Sequence, residues 1–190
     1  MANVRGTTIL NTVRFVKERY GLEAHDRVVR ELPQKHWGTF LGPVREASWK
    51  PAADLAAYMD KAREVLAPGD TEFYRDVGRM AGQLNRDTAF VAMFRDPETA
   101  TRQAPVIWRA FWDAGRLEVV SNTSNEIRIR IHDFPQPHRA LCDRIVGFWE
   151  GSFTAWGAQG ARVVETACVL EGGRYCEMRA QWDGPIADPA

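Results

Sequence analysis

Between Glu126 and Phe134 the apolar residues alternate strictly: Ile127, Ile129 and Ile131 point one way, Arg128 and Arg130 the other. That is the period of a strand with one face on a core and one in water. Upstream the period is helical. Thr7 to Tyr20 sets Ile9, Val13, Val16 and Tyr20 on one stripe and stops at Gly21. Glu23 to Leu32 reads as a second short helix ended by Pro33. Gln34 to Lys50, with Gly38, Gly42 and Pro43, reads as irregular. Pro51 suits a first helical position, and Leu55, Met59, Ala62 and Leu66 follow at helical spacing. Asp70 is placed to cap a helix through Leu84, and Asp87 starts a short one through Phe94. A helix from Pro97 or Glu98 runs to Ala114 and ends at Gly115.

Leu117 to Ser121 is the natural hairpin partner of the alternating strand, across Asn122 to Asn125. After Pro135 and Pro137 comes a long helix, from His138 to Trp156. Arg162 to Leu170 and Arg174 to Trp182 then form a second hairpin around Gly172 and Gly173. Cys176, Met178, Ala180 and Trp182 share one face of its last strand. The expected class is α+β. Helices from the first half pack on an antiparallel sheet of about four strands, and a long helix precedes the C-terminal hairpin. At 190 residues, with no linker or repeat, the chain reads as a single domain over 1–190.

Charge excludes several functions. Lys plus Arg equals Asp plus Glu at 25 each, so no net field recruits nucleic acid or anionic lipid. No stretch reaches the roughly 18 apolar residues of a membrane span, and Met1 to Gly6 has no signal-peptide pattern, so a cytoplasmic location is expected. No Ser-His-Asp arrangement, phosphate-binding glycine loop or dinucleotide fingerprint is visible, so no enzyme is expected.

The cysteines carry the chemistry. There are three, an odd number that cannot pair completely. Buried free thiols are the plain reading. The alternative is a metal. Cys142 on the long helix, Glu165 and Cys168 after it, and Cys176 on the returning strand supply three soft thiolates and a carboxylate. Four protein ligands close the shell and leave no position for a catalytic water, so the ion would be a structural zinc. Its role would be to pin helix to hairpin. One difficulty is parity. Glu165 and Cys168 are an odd number apart, and a regular strand would turn them to opposite faces. A shared ion needs a β-bulge near Thr166 and Ala167.

The stretch from Cys142 to Trp182, with its small-residue helix, Glu-x-x-Cys element, glycine turn and final cysteine, resembles the 4-vinyl reductase domain family. The whole chain is similar to a myxobacterial paralogous family related to that domain, through Ser48 to Pro51 (SWKP) and Phe94 to Glu98 (FRDPE). The resemblance implies that Cys142, Glu165, Cys168 and Cys176 ligate zinc, as the matching residues do in phenol- and xylene-sensing activators. The wider superfamily includes haem nitric-oxide-binding domains and small subunits of the TRAPP vesicle-tethering complex. It implies an α+β fold and frequent dimerisation.

Related domains hold small aromatic or lipidic molecules between sheet and helices. Trp108, Phe111 and Trp112 on one helix, and Phe148, Trp149 and Phe153 on another, are the candidate pocket, although aromatic stripes at helical spacing also serve as plain core. Gly147 and Gly151 permit a close helix approach beside it. No counterpart of the phenol-gripping His and Trp pair is found. His132 and His138 are possible alternate ligands or exposed loop residues. Haem is set aside, because the Tyr-x-Ser-x-Arg element of the haem-binding relatives is missing. The expected function is a stand-alone sensory or regulatory domain, non-catalytic, taking a small apolar or aromatic ligand and passing output to a homodimer or protein partner. The alternative is a protein-interaction subunit resembling the TRAPP small subunits, with no small ligand.

Overall fold

A computed structural model describes residues 1–84 and 97–184. The short helix expected over 87–94, and most of the FRDPE element, lie outside these.

The first strand, β1 (Asn3–Arg5), leads directly into helix α1 (Gly6–Tyr20), which buries Ile9, Phe15 and Val16 and ends at Gly21, φ 95°. Helix α2 (Ala24–Glu31) follows. The segment read as irregular holds a short helix α3 (Trp37–Phe40) and a strand β2 (Trp49–Pro51), which pairs antiparallel with β1. Three-residue strands show no period, so sequence patterning misses them.

Helix α4 (Ala52–Leu66) starts one residue later than expected. Pro51 keeps an extended ψ of 129°, closes β2 and caps the helix. Helix α5 (Phe73–Gln83) starts after Asp70, whose carboxylate accepts from the Glu72 amide at 2.9 Å rather than capping the helix itself. Helix α6 (Pro97–Phe111) completes the first half and ends three residues before the expected Ala114, because Trp112 bridges to Val4 of β1.

The second half is a four-stranded antiparallel sheet in the order β3-β4-β6-β5. Its strands are β3 (Arg116–Asn122), β4 (Glu126–His132), β5 (Gln159–Ala167) and β6 (Cys176–Asp183). The α+β class expected from the change of period is the class observed. Strand β4 lies inside the sheet. Ile127, Ile129 and Ile131 are buried opposite Ala180, Met178 and Cys176, while Arg130 on the other face meets Glu177 at 2.7 Å.

The long helix α7 (Arg139–Ala155) bridges the two hairpins. It packs most extensively on α5. Glycines make that contact possible from both sides. A Cβ on Gly147 or Gly151 would strike the carbonyl oxygen of Arg75 or Arg79, and one on Gly78 or Gly82 that of Arg144 or Phe148. The two backbones therefore touch, and four residues without side chains set the spacing. Among the described residues no helix is long and apolar enough to cross a membrane.

Candidate metal centre and aromatic cavity

Cys142 sits in the first turn of α7. His138 caps that turn, its Nδ1 accepting from the Ala140 amide at 3.3 Å. Glu165 lies near the end of β5 and Cys168 just beyond it. Cys176 opens β6. The parity difficulty has a local solution. Glu165 pairs with Met178 and Ala167 with the adjacent Glu177, so Thr166 is an extra residue in β5. This is a bulge at the expected place, and it changes which face the following residues present. Thr166 Oγ1 is tied to Glu177 Oε1 at 2.8 Å. Cys168 keeps an extended backbone, and the turn Val169–Glu171 then leads into Gly172 at φ 87°, which returns the chain to Cys176.

One ligand atom from each of Cys142, Glu165, Cys168 and Cys176 lies within 4.8 Å of all the others. The sulfurs of Cys168 and Cys176 are 3.8 Å apart. Zinc–sulfur bonds of about 2.3 Å at tetrahedral angles span an edge of about 3.8 Å. Glu165 divides its two oxygens. Oε2 accepts from Arg139 Nη1 at 2.7 Å, while Oε1 is buried with no hydrogen-bond partner. A buried unsatisfied carboxylate oxygen is costly, and a cation among the sulfurs would satisfy it. The donor set thus fits a divalent thiophilic ion. Arg139 also reaches Cys168 Sγ at 2.9 Å through Nη2 and Asp143 at 3.1 Å through Nη1. It offsets part of the negative charge that three thiolates and a carboxylate would leave around a dication.

The closeness of the Cys176 sulfur, with burial, pushes the Cys142 thiol well up. Cys176 is drawn down to about 6 by its two sulfur neighbours. Burial raises Cys168.

A second feature lies along the same helix. Trp108, Phe111, Trp112, Phe148 and Trp149 line a cavity of about 50 Å³ between α1, α5, α6 and α7. Five of the six aromatics expected at a pocket are therefore brought together. Phe153 is not among the lining residues. It stacks on Trp182 of β6 at 5.1 Å between centroids and 18° between planes, as part of the core beneath the sheet. A smaller cavity, bordered by Cys142, Glu165 and Cys176, shares Trp108 and Ile145 with the wall of the aromatic one.

The histidines are engaged elsewhere. His25 contacts the Tyr58 hydroxyl at 2.9 Å, and His36 pairs with Asp54 at 2.7 Å. His132 pairs with Glu118 at 2.7 Å, and His138 lies 3.3 Å from Asp60. Neither His132 nor His138 belongs to the metal cluster.

Two arginines of α7 had no sequence reading. Arg139 stands three positions before Cys142, one helical turn, which is a usable signal for a charge beside a ligand. Arg144 is 4% exposed and lines the aromatic cavity, and burial lowers its pKa to about 10. Its signal is a charge on a helix that is apolar nearly all round.

Solved structures of H-NOX domains superpose over nearly the whole chain. The fold is that of the H-NOX domains. The H-NOX protein from K. algicida, in its unliganded Fe(II) form, has a TM-score of 0.69 at 12% identity, covering 97% of this chain and 100% of that one. The S. oneidensis H-NOX protein in the Fe(II)NO state gives 0.70 at 12% identity, covering 95% and 99%. An oxygen-binding H-NOX domain related to soluble guanylate cyclases gives 0.65 at 15% identity, covering 98% of each chain. No protein-family model and no curated protein matches the chain. The H-NOX likeness therefore speaks for the architecture.

Proposed function

We propose that this chain is a small-molecule-binding sensory or regulatory domain of the 4-vinyl-reductase type, non-catalytic, with one structural zinc at Cys142, Glu165, Cys168 and Cys176. The observation that carries the reading is that a single helix serves both features. Cys142 of α7 belongs to the four-residue cluster, while Arg144, Ile145, Phe148 and Trp149 of the same helix line the aromatic cavity. Zinc at the cluster would lock α7 to the β5–β6 hairpin and thereby hold the cavity wall in position. A shell of four protein ligands leaves no open coordination site, which supports a structural ion.

Several of the H-NOX neighbours are described in Fe(II) states, and one is described for its haem distortion. Haem does not fit the residues present here. All four histidines of the chain make the contacts given above, and no His, Cys or Tyr lines the aromatic cavity. A subunit that only docks other proteins would be expected to fill its interior, so the cavity favours the sensor over that alternative.

Native mass spectrometry with and without a chelator tests the zinc. One zinc per chain is expected, absent after chelation, and Cys176→Ser should lose the ion and melt at a lower temperature. Unchanged metal content in that variant refutes the assignment. A thermal-shift screen of small apolar and aromatic compounds tests the sensor reading, and no stabilising compound would count against it.

A further inference from the structure

The aromatic cavity holds one charge that the protein does not answer. Arg144 is only 4% exposed, and among the described residues its buried Nε has no hydrogen-bond partner. Among the described residues no hydrogen bond or ion pair reaches its guanidinium. The acids on its own helix are committed elsewhere. Asp143 pairs with Arg139 at 3.1 Å, and Glu150 accepts from Arg75 at 3.0 Å and Arg79 at 2.6 Å. An unpaired buried guanidinium is among the least favourable groups a core can hold, and arginine does not escape by losing its proton. Its position on the cavity wall, among indole and phenyl rings, places the missing partner inside the cavity.

The partner's chemistry follows from the walls. A planar fork of N–H donors matches a carboxylate in two parallel hydrogen bonds. One positive charge matches one negative charge. Thr8 and Asn11 of α1 border the same cavity and add polar groups, while Trp108, Phe111, Trp112 and Phe148 offer apolar surface to a hydrocarbon body. The small volume favours a short body over a long chain. We propose that the ligand of this cavity is a compact organic monocarboxylate, its carboxylate held by Arg144 and its apolar body among the aromatic rings. This deepens the sensor reading above and rests on it.

The test compares acetate and propionate with their neutral amides, acetamide and propionamide, and with inorganic phosphate. Calorimetry on the full chain at matched ionic strength gives the affinities. At least one carboxylate is expected to bind about tenfold to a hundredfold more tightly than its amide, as charge-assisted hydrogen bonds imply. Arg144→Met should abolish that preference. It should also raise the melting temperature of the unliganded protein, because it removes an unanswered charge while keeping the volume. Arg144→Lys should retain part of the preference. Equal binding of acids and amides, or a preference that survives Arg144→Met, overturns the carboxylate proposal and leaves the sensor reading standing. Binding of phosphate alone overturns it too, and binding of none of the probes counts against both. A strongly lowered melting point in unliganded Arg144→Met would reveal a structural partner for the guanidinium and also overturn it.

Discussion

Arg139 Nη1 lies 2.7 Å from Glu165 Oε2, joining the first turn of α7 to the end of β5. The same guanidinium touches Cys168 Sγ, so two of the four candidate zinc ligands are oriented by one side chain from outside the shell. Groups that orient metal ligands in this way typically contribute about 10–100-fold to affinity. Arg139→Gln is expected to weaken zinc by about that factor without unfolding the domain. Competition against a chromogenic chelator measures it, and an unaltered affinity would show that Glu165 orients itself.

Cobalt should report the shell directly. A tetrahedral site of three thiolates and one carboxylate, loaded with Co²⁺ in place of zinc, shows ligand-field bands of tetrahedral geometry and sulfur-to-metal charge transfer. Glu165→Gln should perturb the ligand-field bands and keep the charge-transfer band. An octahedral spectrum, or one with no sulfur contribution, would be inconsistent with the cluster acting as a unit.

The contact between α5 and α7 has no room for a methyl group. Gly147→Ala would place a Cβ against the Arg75 carbonyl oxygen, and backbone cannot move aside as a flexible side chain can. The expected loss is about 1–3 kcal/mol or more, read by denaturant unfolding. Gly42→Ala, where nothing lies within 4 Å, is the control, expected to stay within about 0.5 kcal/mol. Equal effects at the two positions would contradict the close crossing.

Glu150 on α7 gives the domain an acid-sensitive tie to α5. Burial alone would raise its carboxyl, but hydrogen bonds from Arg79 and Arg75 outweigh burial and lower it. A carboxyl lowered on folding contributes stability that is fully present above its unfolded pKa of about 4.3 and is lost as pH falls through the folded value. Glu150→Gln is therefore expected to cost about 1–3 kcal/mol at neutral pH, and the gap to the parent protein should close in acid. A gap that stays constant between neutral and strongly acidic solution would rule out this account.

The elements with long periods were legible from the residues. The Ile127-Ile129-Ile131 alternation, the stripe from Ile9 to Tyr20 and the punctuation at Gly21 and Gly172 report local preferences, and those act between neighbours in the chain. The requirement for a bulge was also legible, because the two-residue period of a strand forbids Glu165 and Cys168 a common face. The β1–β2 pairing was not, since three residues carry no period.

What the chain alone determined, then, was where the long helices and the strands of the main sheet lie and which side chains have metal-binding chemistry. Only the tertiary structure decided which of them meet. It moved Phe153 from the pocket to a stack on Trp182, paired Gly78 and Gly82 with a helix far along the chain, and buried Arg144 on the cavity wall with its Nε unpaired among the described residues. The reason is physical. Secondary structure follows from backbone sterics and burial patterns between near neighbours. Whether a charge or an oxygen goes unanswered depends on every group brought to it by packing, and no local pattern contains that information.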